Sequence, residues 1–201
     1  FHKVCDSFNI PYSDEVLSLY QRINLSYWKA YERGEITPSA LAVARFRDFL
    51  AAVGKDGDPA LMCQLYQTSL GEDCTPIHDA LRVCSILHER GYKLSIITNG
   101  RSTTQHSRLS HSELTPMISD LFISEELGCQ KPKKEFFDIV FSKLQIPVSK
   151  ALVIGDSLTS DIIGGIQYGI DTCWFNPNGS DNTMSQTPTY EIKQLSELLS
   201  I

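Results

Sequence analysis

Short apolar segments alternate with helical segments through the second half of the chain, and this alternation restricts the possible folds more than any other feature. After about Thr75, four segments predict strands: YKLSIITNG, DLFISEELG, ALVIGD and DTCWFNP. Amphipathic stretches typical of helices separate them. Strands joined by crossover helices form a parallel sheet. The sequence therefore predicts an α/β domain over residues 75–201.

The first half of the chain predicts helices only. Three predicted helices begin with a capping residue, and two of the caps precede a proline that suits the first helical position. The caps are Ser13, Thr37 and Asp58, and the glycines expected to end the helices are Gly34, Gly54 and Gly71. No run rich in β-branched residues interrupts this part. The sequence therefore predicts an all-helical domain over residues 1–74.

Composition excludes several classes of protein. The formal net charge is −6 and the pI is about 5.3, so no basic surface predicts binding to nucleic acid or to an anionic membrane. No segment approaches the roughly 20 apolar residues of a membrane span. The six cysteines show no paired spacing, which favours free thiols in a reducing compartment. We expect a cytoplasmic monomer or homodimer that acts on a small molecule.

Polar residues follow the predicted strands at the points where those strands end. Thr98, Glu125 and Asp156 all lie at or just after a strand. Reactive groups in parallel sheets collect at the carboxyl ends of the strands. We therefore expect a functional site at that edge of the sheet.

The segment Thr98-Asn99-Gly100 combines a hydroxyl with backbone N–H groups at the start of a helix. Such a turn can bind an anion. The alternative interpretation is a simple turn between a strand and a helix. The segment alone does not decide between the two.

Lys131 precedes a proline, which biases its backbone toward an extended conformation before the next helix. A lysine fixed at that point can neutralise a phosphate and a neighbouring nucleophile. The alternative is an ordinary surface lysine. Lys133 and Lys134 fit a solvated helix start.

Two carboxylates, Asp156 and Asp161, follow the predicted strand that ends near Gly155. An aspartate at a strand end can bind a hard cation such as Mg²⁺ through oxygen. Asp161 could orient the waters of the metal or the amine of Lys131. The alternative is that Asp161 caps a helix and that Asp156 belongs to a turn.

Taken in order, these segments resemble motifs two, three and four of the haloacid dehalogenase-like (HAD-like) hydrolase superfamily. The helical half resembles the all-helical cap of that superfamily. The segments YWKAYERGEITPSALAVARF, FISEELGCQKPKKEFFD and VIGDSLTSDIIGGIQYGIDTCWFN are more narrowly similar to its pyrimidine-nucleotidase branch. The near relatives of this branch include N-acylneuraminate-9-phosphatases.

The resemblance implies a three-layer α/β core and a Mg²⁺-dependent phosphatase, most narrowly a nucleoside 5′-monophosphate nucleotidase that works through an aspartyl-phosphate. It also implies a role for each matching residue. Thr98, Asn99 and Gly100 would bind the phosphoryl group, Lys131 would balance its charge, Asp156 would ligate Mg²⁺ and Asp161 would support that site.

One departure from the superfamily pattern concerns its first strand, which ends in Asp-x-Asp and carries the nucleophile. No predicted strand of this chain ends in that sequence. We expect that strand to lie upstream of Phe1 and the printed chain to be inactive alone. The strand would lie between residues 94–97 and 151–154, so these segments should run parallel with a gap of roughly 10 Å, about two strand spacings. A rearranged fold would fill the gap with another segment.

Other functions stay open from the sequence alone. They are a phosphatase for another small phosphoester, a 2-haloacid dehalogenase that needs no metal, and a catalytically dead binding protein. Aromatic residues of the helical half could pack in its core or stack on a nucleobase; the residues in question are Tyr20, Tyr27, Trp28 and Tyr31, with Arg45 and Phe46 beside them.

Overall fold

A computed structural model describes residues 1–201 and divides the chain into two compact units, Phe1–Asp73 and Cys74–Ile201. The boundary between the units lies one residue before the predicted one. None of the helices combines the length and the apolar character that crossing a membrane requires.

The first unit, hereafter the helical unit, consists of α-helices. They are α1 (His2–Ser7), α2 (Asp14–Glu32), α3 (Pro38–Ala52) and α4 (Pro59–Glu72). The short α1 was not predicted. Its six residues give too brief a pattern for helical periodicity to be recognised.

The predicted caps of the helical unit are confirmed. Ser13 Oγ accepts a hydrogen bond from Val16 N at 3.3 Å, and Asp58 Oδ1 accepts one from Ala60 N at 2.8 Å. Thr37 Oγ1 accepts from Ala40 N at 3.2 Å. The prediction that Gly71 ends a helix is wrong, because this buried glycine lies inside α4, which continues to Glu72.

The core of the helical unit is aromatic. Phe46, Phe49 and Met62 are fully buried, and Tyr20 packs among them. Tyr31 is also buried, whereas Tyr27 and Trp28 are half-buried. The expected aromatic stripe therefore contributes at least two residues to the interior.

The second unit, hereafter the α/β unit, alternates strands and helices as predicted. Its strands are β1 (Leu94–Thr98), β2 (Ile118–Ile123), β3 (Leu152–Gly155), β4 (Asp171–Phe175) and β5 (Tyr190–Ile192). Its helices are α5 (Ala80–Glu89), α6 (Ser102–Ser110), α7 (Ser124–Leu127), α8 (Lys134–Leu144) and α9 (Ile163–Tyr168). A π-helical turn, Leu158–Ile162, precedes α9, and 3₁₀ turns cover Thr115–Met117, Val148–Lys150 and Leu195–Ser200.

Two predictions about these elements were incomplete. The helix expected from Pro76 begins only at Ala80, because Asp79 adopts a left-handed conformation with φ of 64°. Strand β5 was not predicted, since three residues with two exposed side chains carry no apolar signal.

All strand pairs are parallel, and the strands form two sheets. One sheet has the order β1-β2, and the other has the order β3-β4-β5. The expectation that residues 94–97 and 151–154 are not hydrogen-bonded to each other is confirmed, and no other strand of residues 1–201 pairs with both of them. Every residue of β1 is only half-buried, and Ile154 of β3 is 40% exposed.

Apolar residues from both sheets and from α8 form the main core of the α/β unit. Its buried members are Phe122, Phe136, Phe137, Val140, Val153 and Ile170. This core anchors the strands. The polar residues of the candidate site follow directly after the carboxyl ends of these anchored strands.

Candidate active site

The carboxyl ends of the strands place the predicted residues close to one another. Thr98 ends β1 and lies opposite Ile123, the last residue of β2. Gly155 ends β3 and is followed directly by Asp156. Side chains from three successive βα connections can therefore meet, as expected for this edge of a parallel sheet.

The segment Thr98–Gly100, hereafter the phosphate turn, closes on itself. Thr98 Oγ1 accepts a hydrogen bond from Gly100 N at 3.0 Å. The hydroxyl proton of Thr98 is still available to donate to an anion. A side chain at Gly100 would collide with Gln105, since an added Cβ would lie 2.3 Å from Gln105 Nε2. Because Nε2 is the far end of a flexible side chain, Gln105 would have to shift to admit a larger residue at position 100.

The side chain of Asn99 joins the phosphate turn to the segment that carries Lys131. Asn99 Nδ2 donates to Lys131 O and Asn99 Oδ1 accepts from Lys131 N, each at 3.0 Å. These two bonds satisfy both backbone polar groups of Lys131. Sequence reasoning assigned Asn99 only to phosphate binding and missed this link, because the two residues lie 32 positions apart.

Lys131 is buried, with 6% of its surface exposed, so the alternative of a surface lysine is wrong. Its Nζ donates to Ile97 O at 2.9 Å and to Asp161 Oδ1 at 2.6 Å. An ammonium group has three N–H donors. The third has no acceptor in the protein and can serve a bound anion.

Asp161 lies within the π-helical turn and is 7% exposed. Its Oδ1 accepts from Lys131, and its Oδ2 accepts from Ser157 N at 3.2 Å. Gly155 gives it room, because a Cβ at Gly155 would lie 2.3 Å from Asp161 Oδ2. The sequence suggested two roles for Asp161, to orient Lys131 or to support a metal. The structure contains the contact that the first role requires.

Asp156 is exposed, and its carboxylate contacts no other side chain by hydrogen bond or ion pair. Its backbone is fixed instead, since Trp174 Nε1 donates to Asp156 O at 3.1 Å. No group of three or more His, Cys, Asp or Glu side chains in residues 1–201 could hold a metal ion. Mg²⁺ commonly takes one or two carboxylates, with waters and substrate phosphates as its other ligands. The free carboxylate of Asp156 fits that use.

A second group of residues, of which sequence reasoning had noted only Glu125 at a strand end, fixes the start of α6. Glu125 Oε2 accepts from Ser102 N at 2.6 Å. Glu126 Oε1 accepts from Ser102 Oγ at 2.5 Å and lies 2.7 Å from His106 Nε2. The bond from Ser102, and next the bond from His106, lower the pKa of the Glu126 carboxyl. The i, i+4 spacing of Ser102 and His106 was the available signal.

Comparison with known proteins agrees with this geometry. The model of the haloacid dehalogenase-like hydrolase family matches residues 6–169. The HAD-hydrolase YfnB of Bacillus subtilis is 42% identical over 96% of this chain and 82% of its own length. Pyrimidine 5′-nucleotidase PynA of Streptococcus pneumoniae is 36% identical over 90% of this chain and 76% of its own length. Pyrimidine 5′-nucleotidase YjjG of Escherichia coli is 32% identical over 95% and 84%.

Solved structures give the same result. A crystal structure of YfnB bound to magnesium superimposes with a TM-score of 0.92 at 40% identity, covering 99% of this chain and 87% of that one. The L-2-haloacid dehalogenase of Xanthobacter autotrophicus has a TM-score of 0.74 at 17% identity, covering 98% and 90%, which shows the shared fold alone. By its matched residues, its relatives and its strand-end geometry, this chain belongs to the haloacid dehalogenase-like hydrolases.

Proposed function

We propose that the protein is a Mg²⁺-dependent phosphohydrolase for small phosphoesters, and most narrowly a nucleotidase for pyrimidine nucleoside 5′-monophosphates. The observation that carries the proposal is the buried amine of Lys131, which has one free N–H beside the phosphate turn. The relatives PynA and YjjG, both named pyrimidine 5′-nucleotidases, support the narrower substrate.

In this proposal the phosphate turn binds the phosphoryl group of the substrate. The hydroxyl of Thr98 donates to one phosphate oxygen, while the backbone N–H of Asn99 donates to another. Lys131 directs its free N–H at the same group and offsets part of its negative charge. Asp161 keeps the amine in place through its 2.6 Å contact.

Asp156 is the residue that would hold Mg²⁺. Its carboxylate is free, and its backbone is fixed by Trp174. When bound, the ion would withdraw negative charge from the phosphate oxygens. The role of Asp161 is then to orient Lys131.

The nucleophile is an aspartate upstream of Phe1, as the family resemblance implies. Its carboxylate oxygen forms a bond to phosphorus while the bond from phosphorus to the nucleoside 5′-oxygen breaks, and a second acid protonates the leaving oxygen. The second acid, now deprotonated, takes a proton from water, which attacks the aspartyl-phosphate, releases inorganic phosphate and restores both carboxyl groups to their starting states.

We further propose a cytoplasmic enzyme, because all six cysteines are free thiols, as is usual in a reducing compartment. Its partner is a small phosphorylated substrate, and its oligomeric state is a monomer or homodimer. The 2-haloacid dehalogenase alternative has support from structures of 24% and 16% identity, which show the fold alone.

The test is a phosphatase assay of the full-length protein, extended upstream of Phe1, on a panel of nucleotides and sugar phosphates with Mg²⁺. We expect phosphate release from pyrimidine monophosphates, with loss of release in EDTA and recovery with added Mg²⁺. If no phosphoester of the panel released phosphate, the proposed phosphatase activity would be overturned. Release from sugar phosphates alone would overturn only the nucleotide assignment.

A further inference from the structure

The start and the middle of the phosphate turn are held by the segment that follows β2. Thr98 lies opposite Ile123 in the parallel register of β1 and β2. Asn99 forms its two hydrogen bonds with the backbone of Lys131. Ile123 and the next residue, Ser124, are 0% and 4% exposed, so this support starts from a buried part of the α/β unit. The first two residues of the turn therefore have fixed partners.

The end of the phosphate turn is held by two acidic side chains of α7. Ser102 follows Gly100 after a single residue and is the first residue of α6. Glu125 Oε2 accepts a hydrogen bond from Ser102 N at 2.6 Å, and Glu126 Oε1 accepts one from Ser102 Oγ at 2.5 Å. The backbone N–H and the hydroxyl of Ser102 are therefore both bound by the segment that holds the start of the turn.

Glu125 also caps α6, which has no cap of its own. Arg101 precedes the helix, and its side chain makes no capping hydrogen bond. The first N–H groups of a helix lack partners within it, and the helix dipole favours a carboxylate at that end. A cap alone would stabilise the fold without affecting how the turn binds an anion. The two roles of Glu125 therefore predict different results.

The negative charge of Glu125 by itself would oppose phosphate binding, because like charges repel. If repulsion were the main influence of Glu125 on the turn, removing the carboxylate would strengthen phosphate binding. If the hydrogen bond to Ser102 is what matters, removing the carboxylate would weaken phosphate binding. The direction of the effect therefore distinguishes the two influences.

We propose that Glu125 is a positioning residue that keeps the phosphate turn in the conformation that binds phosphate, an inference that rests on the proposed phosphatase function. Glu125 acts through Ser102 and does not touch the substrate. Glu126 supports Ser102 through its hydroxyl. Because the turn is ordered in advance, the binding energy of the phosphate group is not used to order it.

The first test measures the binding of inorganic phosphate to the full-length protein by calorimetry, in the presence of Mg²⁺. Glu125→Ala should raise the Kd at least about fivefold, because the turn is no longer ordered before phosphate binds. Glu125→Gln removes the same charge but keeps an acceptor oxygen, so it should recover most of the affinity. An unchanged or lower Kd in Glu125→Ala, or equal losses in both variants, would overturn the inference.

Ser102→Pro removes the same hydrogen bond from the other side and leaves Glu125 in place. Proline suits the first position of a helix, and Arg101 before it already has the extended backbone that a following proline requires, with φ of −76° and ψ of 138°. This variant should weaken phosphate binding as Glu125→Ala does. If Glu125→Ala failed to fold, an unchanged Kd in Ser102→Pro would overturn the inference.

Glu197→Ala is the matched control for a lost cap in the same unit. Glu197 Oε1 accepts from Lys193 N at 2.9 Å and from Gln194 N at 2.8 Å, at the 3₁₀ turn Leu195–Ser200. This variant should lower the unfolding midpoint and leave the Kd for phosphate unchanged. If it weakened phosphate binding as much as Glu125→Ala, general destabilisation would explain the effect and the inference would be wrong.

The second test measures hydrogen exchange in the full-length protein without ligand, so it needs no activity. Ser102 N loses its acceptor directly in Glu125→Ala, and the informative amide is therefore Gly100 N, which is bonded to Thr98 Oγ1 within the turn. Its exchange should be faster in Glu125→Ala than in the wild type and in Glu197→Ala. Equal exchange in all three proteins would show that the turn is ordered without Glu125 and overturn the inference.

Three results separate this inference from the proposed function. If the wild type releases phosphate from nucleotides and Glu125→Ala binds phosphate as tightly as the wild type, the inference fails while the phosphatase stands. If the wild type binds phosphate and hydrolyses no phosphoester, the proposed function fails, and calorimetry and hydrogen exchange still decide the inference. If the wild type binds no phosphate, both fail.

Discussion

Lys131 Nζ lies 2.6 Å from Asp161 Oδ1, and the two side chains are 7% and 10% exposed. The other ion pairs of the chain each include at least one side chain that is 24% exposed or more. This pair joins the segment after β2 to the segment after β3, which belong to different sheets. The amine of Lys131 is therefore held by two groups: the Asp161 carboxylate, which follows β3, and the Ile97 carbonyl, which belongs to β1.

Lys131→Met should lower turnover by two orders of magnitude or more, because the variant removes the cation that offsets the charge of the phosphate. The measurement is kcat in the full-length protein with Mg²⁺ and a saturating nucleotide. A mutant that keeps a tenth of wild-type kcat would show that Lys131 does not face the phosphate.

Lys133→Met and Lys134→Met serve as controls for that variant. Lys134 is exposed and contacts Asp138 at 2.7 Å, so its loss should change activity little. Lys133 is exposed as well. If all three variants lost the same activity, a general basic patch would explain the result better than a catalytic lysine.

The ion pair should also show strong energetic coupling. Lys131→Met alone leaves a buried, unpaired carboxylate at Asp161, and Asp161→Leu alone leaves a buried ammonium. Each should cost about 3–5 kcal/mol of unfolding free energy. The double variant should cost less than the sum, since neither charge remains. Urea unfolding of all four chains measures the coupling, and additive losses would contradict it.

The sequence predicted which residues lie at the strand ends but not the contacts that join them. Thr98 and Asp156 were placed there because the carboxyl ends of parallel strands meet at one edge, whereas Lys131 was singled out because it precedes a proline. The two bonds between Asn99 and Lys131 were not predictable, since they join residues far apart in the chain. The burial of Lys131 was equally hidden, because a lysine beside a proline is ordinarily exposed.

The same limit applied to the fold, because features that depend on neighbouring residues were predicted and others were missed. Caps such as Ser13 were predicted because they act on backbone groups three residues away. Helix α1 and strand β5 were missed, because elements this short lack a periodic pattern. Gly71 was misread, since a glycine ends a helix only where the backbone turns left-handed, and here it stays helical and buried.

Gly155→Ala should damage the ion pair indirectly. The added Cβ would lie 2.3 Å from Asp161 Oδ2, so the carboxylate must move away from Lys131. We expect a loss of about 1–3 kcal/mol in stability and at least a tenfold loss of kcat.

Gly165→Ala is the matched control for Gly155→Ala. Its added Cβ would lie 2.5 Å from Thr172 Cγ2, so this variant is also overpacked, but without a clash against Asp161. It should lose stability and keep its kcat. A similar loss of kcat in both variants would mean that general destabilisation, and not the position of Asp161, accounts for the effect.

The stability of the α/β unit should fall at alkaline pH through Cys173. Burial, and next the charge of Glu197, raises the pKa of the Cys173 thiol from about 9 to about 11. The unfolded chain therefore loses this proton first, so the stabilisation is complete below pH 9 and is lost as the pH rises to 11. Cys173→Ala should show a smaller fall than the wild type over that interval. Parallel stability curves between pH 9 and 11 would exclude Cys173 as the source.

Asp156→Ala should abolish Mg²⁺-dependent turnover without unfolding the protein. The carboxylate is exposed and contacts no protein side chain, while Trp174 holds only the backbone carbonyl, which alanine retains. The unfolding midpoint should therefore stay within the error of the wild type. Calorimetric titration with Mg²⁺ should show binding in the wild type and none in Asp156→Ala.

Exposed Asp181 supplies the control, because Asp181→Ala removes the same charge elsewhere and should bind Mg²⁺ normally. If Asp156→Ala retained more than about a tenth of the activity, which is about 1.4 kcal/mol of barrier, Asp156 would not be the metal ligand.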